Sequence, residues 1–453
     1  MSTQSKYWTN PSVLALAKGE DPTRVIVDRS RAMVLDAIQA GWSGPPFDPV
    51  DLAKRLNISV VPHENIQDAR TIPIGANRLR IEFNPNRPPA RTRYSVAHEL
   101  AHTLFPDIGS KIQNRVAHEE MKGDDWQLEM LCNIGAAEML MPIGSFPELK
   151  TEAISIDRLL ELRREYGVSI EALLLRFVKI TGTRCLVFCA SKQDSSHQTK
   201  YRIDYALPSK VWKPQIPPGS PIPSGSVVEQ CTAIGFTAKG WETWPPFSEK
   251  FRVECVGASP YPTSPYPRVV GLLLSKEKPS NLHGIEYLVG DATKPRGDGH
   301  RIIAHVVNDK AMTWGAGFAR VVRAKWPAVQ DDFKNWATAN PNRFSLGHLH
   351  LSTVDGQTSV AHMISQHGYG PSPKPRIRYN SLRSCLTHLA EIANTRNATV
   401  HMPRIGCGEA GGEWPVVEEL VSETLLAARL SVIVYDLRDR AKPREEQGVL
   451  HMA

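Results

Sequence analysis

His98 and His102 stand four residues apart in the run His98-Glu99-Leu100-Ala101-His102. Residues at that spacing share one face of a helix, so both imidazoles can reach a single ion, with Glu99 one step round the turn. Neutral imidazole is a favoured zinc ligand, and an ion with an open position draws the pKa of its bound water toward neutrality. Glu99 is then placed to take that water's proton during attack on a peptide carbonyl. Such a site needs a third protein ligand, and the downstream run DDWQLEMLCNIGAAEML offers two carboxylates, Glu129 and Glu138. No histidine follows at the spacing of an extended HExxHxxGxxH site, which disfavours a three-histidine set.

A second group of residues is suited to a phosphate-bearing ligand. Gly290-Asp291-Ala292-Thr293 ends an apolar run with a carboxylate able to accept from an exocyclic amine. His305-Val-Val-Asn308-Asp-Lys310 ends another, and Trp314-Gly315-Ala316-Gly317-Phe318 follows it. Met402-Pro-Arg-Ile-Gly406-Cys407-Gly408-Glu409-Ala410-Gly411-Gly412-Glu-Trp414 lies between a third apolar run and a helical stretch. Glycine lets backbone N–H groups approach a phosphate, and helix N-termini add partial positive charge. Two such loops at the carboxyl ends of neighbouring strands make a crevice fit for a diphosphate.

The elements that must hold these residues can be read from periodicity. Apolar spacing predicts helices over 22–40, 49–56, 92–105, 125–141, 155–163 and 169–180, with strands over 58–61 and 79–83. Residues 184–280 are β-rich and are interrupted by the proline-rich loop 213–226. There Trp241 and Trp244 read as core or interdomain side chains, and Cys185 and Cys189 as buried thiols. From about Ile285 the runs IEYLV, IIAHVV, VAHMI, TVHMP and SVIVYDL alternate with helical stretches at 316–336, 379–395 and 415–428. That alternation predicts a layered sheet with helices on both faces. The tail RDRAKPREEQGVLHMA reads as a solvated or disordered end.

Composition narrows the function classes. A chain of 453 residues exceeds one hydrophobic core, so two or three domains are expected. No apolar run approaches the roughly 18 residues of a membrane span, and the start lacks a secretory pattern. Seven scattered cysteines without a CxxC pair argue against both a disulfide framework and a cysteine-built zinc ribbon. A reduced, cytoplasmic location is the expectation. The net charge of +7 is spread thinly, 20 Lys/Arg against 17 Asp/Glu after residue 280 and 34 against 30 before it. Nucleic-acid binding is therefore not favoured.

Taken with their context, these motifs carry two family resemblances. Ile81-Glu-Phe-Asn84, RTRYSVAHELAHTLF, Glu129-Met-Leu-Cys132-Asn133 through Pro142, and Tyr166-Gly through Arg176 resemble the ImmA/IrrE metallopeptidases over roughly residues 25–182. By that resemblance Glu129 completes a zinc site with His98 and His102, Glu99 is the catalytic base, and Glu138 is structural. Cys132 stands where alanine is usual, a departure the site should tolerate. The implied substrate is a regulatory protein such as a helix-turn-helix repressor, in stress response or phage defence.

HVVND…WGAGFA together with MPRIGCGEAGGEW resembles the macro domain, an ADP-ribose-binding α/β/α module, over about 284–437. The likeness is to the branch with ADP-ribose-1″-phosphate phosphatases and ADP-ribosyl-glutamate hydrolases. It implies that Asp291 holds the adenine amine and Asn308 the distal ribose. Gly315, Ala316, Gly317 and Phe318, with Gly406, Cys407, Gly408, Glu409, Ala410 and Gly411, would wrap the phosphates and ribose. Gln366 and Ala410 occupy the positions of a nucleophilic lysine and a partner aspartate in one hydrolase group, which argues against a covalent mechanism. His305, Asn308 and Lys310 remain as polar candidates for positioning water, and a reader or a hydrolase are both open.

The expected architecture is multidomain α+β and α/β. A mainly helical HExxH zincin-like peptidase domain spans 1–182, a β-rich middle segment 183–280, and an α/β/α macro domain 281–453. The expected activity is that of a zinc metalloendopeptidase coupled to ADP-ribose binding or processing. The alternatives are a non-proteolytic ADP-ribose reader, or an ADP-ribosyl or phosphoester hydrolase, with a structural metal.

Overall fold

Asn10 opens the first helix: its side-chain oxygen accepts the N–H groups of Ser12 and Val13, ahead of Pro11 at the first helical position. This short helix, α1 (Pro11–Ala17), was not legible from periodicity. The computed structural model describes residues 8–74, 78–108, 113–114, 124–146, 154–195, 198–212, 216–261, 264–275 and 284–437. The expected solvated tail, 438–453, lies outside the described residues, as do residues 213–215 of the expected proline-rich loop. By its internal contacts the chain divides into two units, residues 1–34 with 42–280, and 35–41 with 281–453. Among the described residues it carries eleven α-helices and three sheets, a multidomain α+β architecture. No described helix is long and apolar enough to cross a membrane.

In the first unit α2 (Pro22–Gln39), whose residues from Leu35 on are counted with the second unit, and α3 (Pro49–Arg55) precede β1 (Ser59–Pro62), β2 (Ala69–Pro73) and β3 (Leu79–Phe83). Then come α4 (Pro89–His102), β4 (Gln113–Asn114), α5 (Asp125–Leu140), α6 (Ile156–Tyr166) and α7 (Ile170–Ile180). The strands form a mixed sheet in the order β1-β3-β2-β4. Proline opens α2, α3 and α4, and Ser155 and Ser169 cap α6 and α7 through their hydroxyls. The close packing of α4 on α5 rests on Gly135. A Cβ there would lie 2.9 Å from that of Ala101 and 3.0 Å from Ser30 Oγ, so only glycine admits this approach.

The rest of this unit is an antiparallel sheet in the order β6-β5-β9-β8-β7. It is built from β5 (Cys185–Ser195), β6 (Gln198–Pro208), β7 (Thr237–Thr243), β8 (Lys250–Ala258) and β9 (Arg268–Leu274). Its core gathers Phe188, Trp212, Trp244 and Phe251. Trp244 is buried, with its indole N–H donating to Glu242. Trp241 departs from the expectation of a core side chain: strand alternation turns it to solvent, 49% exposed. Cys185 and Cys189 are buried, as expected.

In the second unit β10 (Glu286–Val289) and β11 (Arg301–Asn308) lead to α8 (Gly317–Lys325) and α9 (Pro327–Ala339). Then follow β12 (Leu349–Thr353), β13 (Thr358–Gln366), α10 (Tyr379–Thr395), β14 (Thr399–Pro403), α11 (Trp414–Val421) and β15 (Val432–Asp436). The single helical stretch expected over 316–336 is broken at Pro327, which lacks the N–H needed to continue the ladder. The helix expected over 415–428 passes at Ser422 into one π-helical turn. The sheet order is β10-β15-β14-β11-β13-β12, parallel except for the β12 edge. β13 is buried at every position but its last, so both faces of the sheet are covered.

Candidate functional sites

The last turn of α4 is fully enclosed: His98, Glu99 and His102 are at most 1% exposed. The two imidazole centroids are 4.9 Å apart. Across from them α5 presents Glu129, whose carboxylate spans the pair. Oε2 lies 2.9 Å from His98 Nε2 and Oε1 lies 3.6 Å from His102 Nε2. Glu129 is thus the carboxylate brought to the histidines. Glu138, two helical turns on, points elsewhere: it accepts from Arg31 Nε at 2.9 Å and pairs with Arg176 at 3.6 Å. Burial pushes this carboxyl up, but Arg176 and Arg31 outweigh it and hold the pKa at about 2. Glu138 therefore braces α5 against α2 and α7.

Neighbours orient each donor. His98 Nδ1 lies 2.9 Å from the side-chain oxygen of Asn133, which also accepts the Tyr94 hydroxyl at 2.5 Å. An amide oxygen only accepts, so Nδ1 carries a proton and Nε2 is the edge that faces Glu129. Glu99 Oε2 accepts from the Thr71 hydroxyl at 2.8 Å, which ties the carboxylate to β2. Cys132 Sγ sits 3.3 Å from His102 Nδ1. Burial, reinforced by Glu129 and Glu99, raises its thiol well above the ordinary range. Burial and the neighbouring His98 depress His102, so that ring is neutral. Asn133, Thr71 and Cys132 were not singled out as functional from sequence. Only Asn133 left a signal, since it lies one helical turn after Glu129.

A donor set of this kind fits a divalent ion. His102 Nε2 is buried without a hydrogen-bond partner, while a carboxylate and a second ring nitrogen stand close by. Ligand atoms of His98, His102 and Cys132 also lie within 4.8 Å of one another. However, Cys132 faces the Nδ1 edge of His102, whereas the two Nε2 atoms meet at Glu129. The two-nitrogen, one-carboxylate set is the better match.

In the second unit a cavity of about 990 Å³ opens at the carboxyl ends of the parallel strands. β11 and β14 are neighbours, so the loops that follow them form its walls. Asp291, Asn308, Gly315 to Phe318, Gly406, Gly408, Glu409 and Ala410 line it; Cys407 and Gly411 sit in the same loop but off the wall. Gly406 has φ of +73°, and a Cβ on Gly412 would lie 2.7 Å from the Gly406 carbonyl, so the turn requires glycine at both.

Asp291 Oδ1 accepts from the Thr293 N–H and hydroxyl at 2.9 and 2.8 Å. Asn308 Oδ1 accepts from the N–H groups of Lys310 and Ala311, a turn that does not use its amide donor. Two wall residues outside the expected set are Arg404 and Trp314. Arg404 makes a two-pronged pair with Asp436 at 2.6 and 2.7 Å, under the rings of Tyr287 and Trp414. The Trp314 indole nitrogen is buried without a hydrogen-bond partner. Gln366 and Ala410 also line the cavity, so neither of the two expected departures is remote from it.

Parts of this chain are similar to two groups of known proteins. The family described as the IrrE N-terminal-like domain, peptidase M78, matches residues 53–178. The radiation response metalloprotease IrrE of Deinococcus deserti is 34% identical over 105 residues, 22% of this chain and 37% of that protein. Mouse chromodomain-helicase-DNA-binding protein 1-like is 29% identical over 174 residues, 36% of this chain and 19% of that protein. The chain therefore spans well under half the length of these curated relatives. Among solved structures, a macrodomain protein from Streptomyces coelicolor is 39% identical, covering 34% of this chain and 99% of that one with a TM-score of 0.30. Residues 53–178 match the IrrE N-terminal-like peptidase family, and a further third of the chain is similar to a macrodomain protein.

Proposed function

We propose that the chain is a zinc-dependent endopeptidase joined to a module that binds ADP-ribose or an ADP-ribosylated ligand. The observation that carries the first half is the convergence of two ring nitrogens on Glu129, with Glu99 on the same helix turn. His98, His102 and Glu129 would hold the ion, which when bound polarises a carbonyl and acidifies water. The chain's own residues do the rest. Asn133 fixes the His98 tautomer, Thr71 holds Glu99, and Glu99 takes the proton of the attacking water and passes it to the leaving amine.

The substrate we assign is a regulatory protein such as a helix-turn-helix repressor, in a cytoplasmic stress or phage-defence response. Residues 1–182 form the peptidase domain, 183–280 a middle domain, and 281–453 the ADP-ribose module. In that module Asp291 and Asn308 take the adenine and ribose, and the loops 315–318 and 406–411 wrap the diphosphate. The test is to incubate the zinc-loaded chain with the repressor encoded beside it, with and without ADP-ribose. Cut fragments are expected from the native chain and none from Glu99→Gln, which keeps its metal. An intact repressor in every lane overturns the reading.

A further inference from the structure

The antiparallel sheet of the first unit holds two sulfurs side by side. Cys255 stands on β8, and Cys231 follows the short 3-10 turn Val227–Gln230. Their Sγ atoms lie 3.5 Å apart, although 24 residues separate them along the chain. Both side chains are buried in the core that also holds Phe188, Trp244 and Phe251. Neither the proposed peptidase nor the proposed ADP-ribose module uses them.

Two glycines bring the sulfurs together. At Gly257 a Cβ would lie 2.0 Å from the Ala233 carbonyl oxygen, so only bare backbone lets the segment after Cys231 rest on β8. Hydrogen bonds fasten it there. The Gly235 N–H donates to the Gly257 carbonyl and the Gly257 N–H to that of Phe236, both at 2.8 Å. Residues two apart on a strand share a face, so this clamp lies on the side of β8 that carries Cys255. At Gly271, opposite Cys255 on β9, a Cβ would lie 2.7 Å from that of Cys255, so the neighbouring strand also leaves the side chain its room.

A lone buried cysteine is ordinarily inert packing. This pair differs in its electrostatics and in its cover. The Cys255 thiol beside it, helped by the N–H groups of Gly257 and Ala238, draws the Cys231 thiol below its ordinary value against the effect of burial. The contact with Cys231, reinforced by burial, pushes Cys255 up. One sulfur therefore ionises before the other, and a thiolate is the form that attacks an oxidant. Burial instead raises the thiols of Cys185 and Cys189, the former to about 12. The cover over Cys231 is one loop thick: Gln230, Thr232, Ile234 and Phe236 around it are all exposed. Opening that loop uncovers the sulfur while the strands stay paired. A disulfide closes at about 2.05 Å, which leaves the sulfurs about 1.5 Å to travel, within reach of a side-chain rotation in a loop.

We propose that Cys231 and Cys255 form a redox site, closing a disulfide when a peroxide oxidises them and reopening with a thiol reductant. The Cys231 sulfur bonds to one oxygen of hydrogen peroxide as the O–O bond breaks. The departing hydroxide takes the proton that Cys231 has given up and leaves as water, and Cys231 becomes a sulfenic acid. The Cys255 sulfur then bonds to that of Cys231 and the S–O bond breaks. The second hydroxide takes the Cys255 proton and leaves as water. Two electrons pass from the sulfur pair to the peroxide, so two thiols and one peroxide become one disulfide and two waters.

The experiment uses the full chain, reduced with dithiothreitol, desalted and exposed to hydrogen peroxide without denaturant. Samples are quenched in acid, unfolded, alkylated and mapped by mass spectrometry without reduction. A link between Cys231 and Cys255 is expected, forming at least about tenfold faster than Cys185 or Cys189 loses its thiol. Dithiothreitol should return both thiols. Cys255→Ser should stop the reaction at a Cys231 sulfenic acid that dimedone traps, and Cys231→Ser should leave Cys255 reduced over the same interval. Equal rates at all four cysteines mean that peroxide enters only through global unfolding, and overturn the proposal. Thiols at 231 and 255 that stay open to alkylation overturn it too, as does pairing of either with another cysteine. Trapping at Cys255 in place of Cys231 overturns the assigned order of attack. The native chain decides the first three of these outcomes, so a variant that does not fold leaves them in force.

Discussion

The side-chain oxygen of Asn133 lies 2.9 Å from Nδ1 of His98, and this contact decides which edge of the imidazole faces Glu129. Replacing Asn133 with alanine frees His98 to adopt the other tautomer and also removes the oxygen that accepts the Tyr94 hydroxyl. Zinc affinity should fall by about 10- to 100-fold, as for other outer partners of metal-bound histidines. A chelator competition measures it, and an unchanged dissociation constant would contradict the assigned tautomer.

Thr71 acts on the base rather than on the ion. Thr71→Val removes the hydroxyl that Glu99 Oε2 accepts while keeping the side-chain shape. We expect kcat for peptide cleavage to drop about tenfold with zinc content unchanged, because only the aim of Glu99 is lost. Loss of metal from this variant would instead make Thr71 part of the framework of the ion site.

Glu138 ties acid stability to the brace between α2, α5 and α7. Its folded pKa of about 2 lies below the ordinary 4.5, so its contribution is fully present above pH 4.5 and is lost as pH falls toward 2. Glu138→Gln should flatten the stability curve across that window. It should also destabilise the chain by about 3–5 kcal/mol at neutral pH, since Arg31 and Arg176 would lose the buried carboxylate they pair with. Denaturant melts at stepped pH test both.

In the second unit, Gly412→Ala places a Cβ 2.7 Å from the Gly406 carbonyl, too close for the turn to persist. ADP-ribose affinity should fall by at least about tenfold, while the sheet survives because the turn lies outside it. Calorimetry beside a circular-dichroism melt separates the two. A native affinity would show that this loop does not hold the ligand.

Periodicity sufficed for the long helices and buried strands because each satisfies a single pattern over many residues. The pair His98 and His102 was legible for the same reason, since a helix fixes the spacing that an ion requires. Residues that act across elements were not. Thr71 lies on β2, a five-residue strand, ARTIP, ending in proline, and nothing local marks it as facing Glu99. Strand β12 was missed because LHLST is half-buried at an edge, with polar residues that only make sense beside His362. Glu129 and Glu138 could not be ranked by the residues alone. Their separation followed from resemblance, and in the fold the arginines on α2 and α7 claim the second carboxylate.

The missing side chain at Gly135 has a bearing on which ions the protein can use. Two helices packed with the Ala101 methyl against the bare backbone of Gly135 resist sliding apart to suit a larger guest. The histidines come from one of those helices and the acid from the other, so the spacing between donors is set by main chain rather than by flexible side chains. Selectivity at the proposed centre would accordingly be a property of the scaffold. A bulkier residue at position 135 should relax the preference for a small ion before it unfolds the domain.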